Sequence, residues 1–268
     1  MKISISALSI AYGLTPEALR YYEDKGLLTP ERTPSSGFRR FSIGDMQKLG
    51  IIKSLQRQGF SLDEVRHILS DCPRAELIAM PDEKRQELRS QITLSRAVYD
   101  RLTITTDLLR DIDRLMMKPR LCPGAAAYLI DFDSVTALWQ SVPKNPLVKD
   151  LIDALPLTSY CSIVPLARLN GEDVPVCIGI AAPAEYGAVI KADFSKMRMS
   201  AGPRTVRVLF ELLPPHKSAF APVVSAALAF MREQGLTPVS EGYTRQYSWS
   251  VDEHGQMRHV SELIIPVM

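Results

Sequence analysis

The sequence predicts an α+β protein in three parts: a helical segment over about residues 1–75, one long helix over about residues 80–118, and a strand-rich segment over about residues 120–268. Three observations predict this division. Short helices with well-placed caps fill the first seventy residues, the stretch from Asp82 to Met117 holds no Gly or Pro, and strand signals dominate from Ala125 onward.

Composition restricts the class of protein. The 268 residues are 46% apolar and 23% charged, which is typical of a globular chain. No window approaches about 18 consecutive apolar residues, so no membrane span is predicted. The first residues lack the apolar run and cleavage site of a secretory signal, and the four cysteines form no disulfide framework. We therefore expect a cytoplasmic protein without a membrane partner.

Basic residues are concentrated near the N-terminus, although the net charge is only +2. Between Arg20 and Arg57 there are eight basic residues and four acidic ones. This distribution predicts that one small segment, rather than the whole chain, binds nucleic acid.

The first two helices are separated by a turn of a characteristic length. A helix over about residues 6–12 stops at Gly13, and Thr15-Pro16-Glu17 begins the next one, with Thr15 as the cap and Pro16 in the first helical position. A turn of about three residues is the length that a DNA-binding helix-turn-helix uses. Capping-box spacing predicts two further helices, at Ser42 with Asp45 and at Ser61 with Glu64.

Two elements of this segment carry side chains suited to DNA. On the second helix, Arg20 can reach guanine edges or phosphates, and Tyr21 can donate its hydroxyl to a phosphate. The segment over residues 29–37 is rich in Pro, Ser and Gly and predicts a loop or hairpin, followed by Phe38-Arg39-Arg40-Phe41. We expect the two phenylalanines to anchor this loop and the two arginines to contact the DNA backbone.

These motifs resemble those of MerR-family transcription regulators. The matching segments are GLTPEALRYYEDKGLL, SSGFRRFS and LQRQGFSLDEVRHIL. The resemblance implies a winged helix-turn-helix in a homodimer that binds palindromic double-stranded promoter DNA, bends and untwists it, and so activates transcription by RNA polymerase. It implies base or phosphate contacts for Arg20 and Tyr21 and a phosphate contact for Arg39. The predicted DNA-binding residues are Thr15, Pro16, Glu17, Arg20, Tyr21, Tyr22, Arg32, Phe38, Arg39 and Arg40.

The long helix predicts a dimer. At 1.5 Å per residue, 36 residues would extend about 54 Å, which is longer than a small domain is wide. Its apolar residues recur at intervals of three, four or seven and form a narrow stripe, which suits a coiled coil with a second chain. The alternative is a long helix that packs on its own domain. The residues of the stripe are Leu88, Ile92, Tyr99, Leu102, Leu109, Ile112 and Met116.

The C-terminal segment repeats the order strand, helix, strand, strand. The first repeat is predicted near residues 125–132, 146–154, 159–167 and 174–182, with a hairpin at Asn170-Gly171; the second is predicted near residues 205–213, 217–234, 237–250 and 259–267. Two such halves would pack side by side, and a cleft between them would suit a small molecule.

The end of the chain resembles a GyrI-like effector-binding domain, through Thr237-Pro238, Glu241-Gly242-Tyr243 and the final run 261–267. The resemblance implies binding of bulky lipophilic cations. Glu262 interrupts an apolar strand, and a buried carboxylate needs a cationic partner: Arg207, Arg245 or the ligand. Tyr243, Tyr247 and Trp249 alternate on the preceding strand and could stack on a cation. The predicted ligand-binding residues are Glu262, Tyr243, Tyr247, Trp249, Trp139, Tyr160, Tyr186 and Phe210.

Two alternatives remain at this point. Cys122-Pro123-Gly124 resembles the start of a copper-sensor loop, and Cys72 could approach Cys122 from a partner subunit to sense a metal or a redox change. The C-terminal segment could instead contact another protein. No nucleophile motif, P-loop, dinucleotide-binding glycine pattern or H-E-x-x-H motif is present, so neither enzyme activity nor a cofactor is predicted.

Overall fold

A computed structural model describes residues 2–34, 36–70, 72–212, 220–251, 255 and 257–268, with the backbone alone at 212, 249 and 257. The chain forms two compact units, Met1–Gln91 and Ile92–Met268, called here the first and the second unit. Within the described ranges, no helix has both the length and the apolar character needed to span a membrane.

The first unit contains four short helices and a small antiparallel sheet. The helices are α1 (Ile5–Tyr12), α2 (Pro16–Asp24), α3 (Ile43–Arg57) and α4 (Leu62–Leu69). The strands are β1 (Ile3–Ser4), β2 (Glu31–Arg32) and β3 (Arg39–Phe41), in the order β1-β3-β2. The predicted caps are confirmed: Thr15 accepts a hydrogen bond from the Ala18 N–H, and Ser42 and Ser61 form complete capping boxes.

Phe41 and Phe38 play different roles in the first unit. Phe41 is fully buried among Leu8, Leu49 and Ile52, whereas Phe38 is 70% exposed. The expectation that both anchor the loop is therefore wrong for Phe38. The strand begins only at Arg39, and the preceding turn is closed by a hydrogen bond from the Thr33 N–H to the Phe38 carbonyl, which fixes the backbone of Phe38 without burying its ring.

The long helix is α5 (Arg74–Arg110), followed by the single turn α6 (Ile112–Leu115). The helix begins earlier than the predicted start near residue 80 and contains Pro81. Proline removes one backbone hydrogen bond from a helix, but neighbouring Met80 packs against the core of the first unit. Tertiary packing thus overrides the helix-breaking tendency of Pro81. The helix also ends earlier than the predicted end near residue 118.

An eight-stranded antiparallel sheet forms the centre of the second unit, in the order β4-β9-β11-β10-β6-β7-β5-β8. Its strands are β4 (Arg120–Pro123), β5 (Ala126–Phe132), β6 (Ser159–Val164), β7 (Cys177–Pro183), β8 (Arg198–Ala201), β9 (Arg204–Leu212), β10 (Gly242–Val251) and β11 (Met257–Val267). The helices are α7 (Val135–Ser141), α8 (Pro146–Asp153), α9 (Leu166–Leu169) and α10 (Phe220–Glu233), with short 3₁₀ helices at Ala184–Tyr186 and Phe194–Lys196.

The strand order places the two strand-helix-strand-strand segments side by side, with β6 of the first next to β10 of the second. The predicted hairpin at Asn170-Gly171 is wrong, because β6 ends at Val164 and α9 follows before β7 begins. Leu169 at the end of α9 is buried in the core beneath α10, and this burial favours the helix over a tight turn.

The two faces of the large sheet are covered differently. Helices α7, α8 and α10 pack on one face, where β9 and β11 contribute Val208, Phe210 and Leu263 to the core under α10. On the other face, Leu209, Tyr247 and Val260 contact apolar residues of α5 and α6, namely Leu108, Leu109, Ile112 and Leu115. The second face also holds Glu262, which is directly opposite Leu209 in the strand register.

The capping box of α3 provides a test of the first unit. Asp45 is 3% exposed and accepts hydrogen bonds from the Ser42 N–H and hydroxyl, both at 2.8 Å, and from the Thr29 N–H at 3.2 Å. Burial alone would raise the pKa of Asp45, but these hydrogen bonds outweigh it and lower the pKa. Asp45→Ala should reduce the free energy of unfolding by about 1–2 kcal/mol, measured by urea denaturation.

The sign of the pH dependence follows from the lowered pKa. The stabilisation by Asp45 is present above its ordinary value of 3.8 and is lost as the pH falls through the lower folded-state pKa. The difference between wild type and Asp45→Ala should therefore shrink in acid. Asp63→Ala, at an exposed acidic residue in the first turn of α4, is the matched control. An equal loss in both variants would contradict the role given to the buried carboxylate.

Candidate functional site

The exposed side of α2 carries a charged and aromatic cluster. Arg20 pairs with Glu17 at 3.4 Å, and both side chains are at least half exposed. Tyr21 is 48% exposed, and the Lys25 ammonium lies 5.5 Å from its ring centroid. Thr15 caps the N-terminus of the same helix, with Pro16 in its first turn. Lys25 is not among the residues predicted from the sequence, although its position four residues after Tyr21 indicates the same side of the helix.

Tyr22 requires a correction. It was predicted among the DNA contacts, but it is 6% exposed and donates its hydroxyl to Oε1 of Gln56 at 2.9 Å. The reason is helical spacing: Tyr22 lies three residues after Leu19, which is fully buried, so both residues are on the inner face of α2. Tyr22 fixes the helix in the first unit.

The arginines of the small sheet differ in their surroundings. Arg32 and Arg39 both pair with Glu23 of α2, and the Arg32 contact measures 3.3 Å. The Arg39 side chain is only 24% exposed. Arg40, the next residue of β3, is exposed, and no ion pair with it is found in the described part of the chain. Arg40 is thus the arginine of β3 that is presented to solvent, whereas Arg39 links β3 to α2.

Glu262 lies at the centre of a buried ionic cluster in the second unit. Its side chain has no exposed surface, and Arg120 donates a hydrogen bond to Oε1. Tyr247 donates its hydroxyl to Oε2 at 2.9 Å, and an Arg207 nitrogen lies 3.7 Å from the same oxygen. Of the partners that the sequence left open, Arg207 contacts Glu262, whereas Arg245 donates to Glu185 at 2.9 Å. Arg120 was not foreseen.

The predicted aromatic row on β10 is interrupted by a bulge. The register changes between Gln246 and Ser248, which pair with Ser261 and Val260. Tyr247 is the extra residue, and position 249, which pairs with His259, falls out of phase with it. The regular alternation that the prediction assumed along β10 is therefore wrong. Tyr243 is buried in an apolar cluster with Ile163 and Ile264, and the Trp249 side chain lies outside the described residues.

The remaining aromatic candidates lie in different places. Phe210 packs against Phe220 of α10, with ring centroids 5.5 Å apart, on the sheet face opposite Glu262. The prediction that Phe210 shares a pocket with Glu262 is therefore wrong. Trp139 is 54% exposed, and its ring centroid lies 5.9 Å from the ring centroid of Tyr160. Tyr186 is buried, and no hydrogen-bond partner of its hydroxyl is found among the described residues.

A cavity of about 330 Å³ lies between α5 and the sheet of the second unit. It is lined by Arg101, Leu102, Thr105, Leu155, Pro156, Thr158, Ser159, Tyr160, Gln246 and Tyr247. It therefore includes two of the predicted ligand-binding residues, Tyr160 and Tyr247, but not Glu262. Arg101 was missed from the sequence. Its spacing of seven residues from Leu108, which packs on the same sheet face, was the available signal.

The predicted approach of Cys72 to Cys122 of a partner subunit stays a prediction. Cys72 belongs to the first unit and Cys122 to the second. The possible ligand atoms of His67, Cys72 and Glu76 lie within 4.8 Å of one another, and a His67 ring nitrogen is 2.5 Å from Glu76. Burial, and secondarily Glu76, raise the pKa of the Cys72 thiol.

Comparison with known proteins identifies the family of the chain. Residues 3–72 match the MerR HTH family regulatory protein model, and residues 46–103 match the model for MerR, DNA binding. An uncharacterized HTH-type transcriptional regulator of Pseudomonas aeruginosa is 34% identical over 105 residues, which are 37% of this chain and 74% of that protein. The chain belongs to the MerR family of DNA-binding transcription regulators.

Other known proteins match a smaller share of this chain or have a lower sequence identity to it. The mercuric resistance operon regulatory protein of Serratia marcescens is 33% identical over 96 residues, 34% of this chain, and the chain spans 65% of the length of that relative. The EcmrR–DNA complex in EcmrR-RPo, solved by cryo-electron microscopy, aligns over 99% of both chains with 16% identity and a TM-score of 0.37. A TM-score at this level does not establish a shared fold.

The ionic cluster around Glu262 gives a prediction for the second unit. Glu262→Gln leaves Arg120 and Arg207 without a carboxylate, so the free energy of unfolding should fall by about 3 kcal/mol. Urea denaturation measures this loss. The matched control is Glu211→Gln on neighbouring β9, because Glu211 is 41% exposed and lies 4.0 Å from Arg258. A Glu262→Gln protein as stable as the control would show that the carboxylate does not hold this face together.

Proposed function

We propose that the protein is a ligand-responsive transcription activator that binds a palindromic promoter as a homodimer through its first unit and senses a lipophilic organic molecule through its second. Membership of the MerR family carries the DNA-binding half of this proposal. RNA polymerase at the same promoter is the proposed second macromolecular partner. The cavity beside Arg101 carries the sensing half.

The DNA surface that we propose consists of Arg20 and Tyr21 on α2, Lys25 directly after this helix, and Arg40 on β3. A helix that enters the major groove can place an arginine on a guanine edge, while tyrosine and lysine contact phosphates. Glu17 pairs with Arg20 at 3.4 Å in an exposed position, so DNA would replace a weak surface ion pair. Arg39 would act indirectly, because its pairing with Glu23 holds β3 against α2.

The homodimer is proposed from the exposed apolar residues of α5. Leu88, Ile92, Tyr99 and Leu102 follow one another at intervals of four, seven and three, and each is at least 43% exposed. Leu109 and Ile112, in contrast, pack against the sheet. The stripe predicted from the sequence therefore divides: its first part is available to a second chain, and its second part fastens the helix to the second unit.

The same helix offers a route from ligand to DNA. Arg101, Leu102 and Thr105 line the cavity and belong to α5, whose range Arg74–Arg110 includes residues of both units. A ligand that binds one position of this helix better than another would shift the population of dimer conformations. We propose that this shift changes the twist of the promoter rather than its occupancy.

Two observations favour an organic effector over the alternatives. A soft-metal site needs several thiolates, and the cluster of His67, Cys72 and Glu76 offers one thiol. A protein-contact role does not account for a cavity lined by buried polar atoms. The lipophilic cation implied by the resemblance would need a free carboxylate, and Glu262 is already held by two arginines and a tyrosine.

The DNA surface is tested with duplexes selected from a random-sequence pool by the wild-type protein. Arg20→Ala should weaken binding of the selected duplex by about 1–3 kcal/mol, measured by fluorescence anisotropy, because one base or phosphate contact is lost. Arg85→Ala, an exposed arginine of α5 that pairs with Asp82, is the matched control. Equal affinities of the Arg20→Ala and control proteins would rule out α2 as the recognition helix.

The dimer is tested by placing a charge in the exposed stripe. Ile92 is 67% exposed, so Ile92→Glu should leave the fold intact while like charges oppose each other across a paired helix. Sedimentation equilibrium should show a shift from dimer to monomer. Gln91→Glu adds the same charge one residue away from the stripe and should remain dimeric. A dimer in both variants would place the subunit contact elsewhere.

A further inference from the structure

We infer that the cavity of the second unit binds a lipophilic organic anion, with a carboxylate held by Arg101 and Ser159. This inference rests on the proposed ligand sensing and specifies its chemical class. It reverses the charge of the ligand that the family resemblance implies.

The charges around the cavity favour an anion. Arg101 is the one charged side chain among the ten described residues that line the cavity, and none of the ten is acidic. The nearby carboxylate of Glu262 is already engaged by Arg120, Arg207 and the Tyr247 hydroxyl. A cation entering this cavity would meet a buried guanidinium and no free carboxylate, whereas an anion would neutralise a buried positive charge.

Arg101 is placed for such a contact. It is 6% exposed, donates from Nη2 to the Gln246 carbonyl, and its guanidinium lies 4.7 Å from the centroid of the Tyr247 ring. Its Nη1 is buried, and the described residues provide no acceptor for it. Burial, and secondarily the charge of Arg245, lower the pKa of Arg101, and interactions with Tyr247 and Tyr186 act in the opposite direction. A buried donor without a partner needs an acceptor, and a ligand in this cavity can supply one.

Ser159 supplies a second donor at the same cavity. It is 5% exposed, and its hydroxyl has no hydrogen-bond partner within the described part of the chain. The Thr158 hydroxyl, in contrast, already donates to the Leu151 carbonyl at 2.6 Å. A carboxylate accepts several hydrogen bonds and can take one from a guanidinium and one from a hydroxyl. Both open donors belong to residues that line the same cavity, which is why the inferred ligand carries a carboxylate.

The rest of the lining defines the body of the ligand. Leu102, Leu155, Pro156 and the rings of Tyr160 and Tyr247 provide an apolar and aromatic surface. A volume of about 330 Å³ is at the small end of the range for ligand pockets. These features suit an aromatic carboxylate of one or two rings.

The experiment compares three probes that share one ring system and differ in charge: 2-naphthoate, neutral 2-naphthamide and 2-naphthylmethylammonium. Isothermal titration calorimetry on the full-length protein should show the tightest binding for naphthoate. Arg101→Met should weaken naphthoate binding by roughly tenfold to a hundredfold and leave naphthamide binding nearly unchanged, because a charge-assisted hydrogen bond is lost.

Two further variants separate binding from folding. Ser159→Ala removes a buried hydroxyl without a partner, so it should not reduce stability, yet it should weaken naphthoate binding by roughly threefold to tenfold. Arg96→Met, at an exposed arginine of α5 that pairs with Asp100, is the matched control for Arg101→Met and should bind naphthoate like wild type. If Arg101→Met fails to fold, the naphthoate affinity of Ser159→Ala still tests the inference.

Each result is decisive for the inference. Preference for naphthoate that falls in both Arg101→Met and Ser159→Ala supports it. Binding of all three probes with equal affinity, or tighter binding of the ammonium, contradicts the preference for an anion but leaves the proposed ligand sensing in place. Binding of none of them overturns the anion and removes support from the sensing half of the proposed function. Binding of the selected duplex, measured separately, tests the DNA half.

Discussion

The second unit depends on one carboxylate that has no access to water. Burial of a charge is unfavourable unless opposite charges and hydrogen bonds surround it, and Glu262 receives both from Arg120, Arg207 and Tyr247. These partners lie on β4, β9 and β10, so the carboxylate on β11 connects four neighbouring strands of the sheet. Tyr247 extends the network, because its hydroxyl binds Glu262 while its ring lies under Arg101 of α5. The helix is thus attached to the sheet through the same residue that satisfies the buried acid.

This network changes what the cavity can recognise. The resemblance implies a cationic ligand, and the sequence leaves Arg207, Arg245 or that ligand as the partner that a buried Glu262 requires. Arg120, Arg207 and Tyr247 of the same unit satisfy the charge of Glu262, so Glu262 needs no cationic ligand. Among the described residues that line the cavity, the uncompensated charge is that of Arg101. In the proposed site, the sign of the ligand charge is therefore set by the residues that contact Glu262 rather than by Glu262 itself. Arg120, which begins the edge strand β4, is the partner that makes the difference.

The elements that local sequence determines could be predicted, and those that depend on distant contacts could not. Thr15, Ser42 and Ser61 begin their helices as expected, because each cap involves residues within three positions. The partner of Tyr22, Gln56, is 34 residues away and could not be predicted, although the spacing of Tyr22 from Leu19 indicates the inner face of α2. The bulge at Tyr247 arises from pairing with β11, and no residue pattern within β10 announces it. The partners of Glu262 could not be predicted for the same reason, because Arg120 is 142 residues away in the chain.

The long helix connects the proposed ligand site with the proposed dimer contact through adjacent residues. Arg101 is buried against Tyr247, whereas Leu102, the next residue, is 58% exposed, belongs to the apolar stripe and also lines the cavity. A ligand that contacts Leu102 would touch a residue that the second subunit also contacts. Because such coupling is reciprocal, dimer formation would change the affinity for the ligand by the same factor that the ligand changes the dimer equilibrium. The ligand and the second subunit would then act on α5 less than one helical turn apart, so a small displacement of this segment would be enough to couple them.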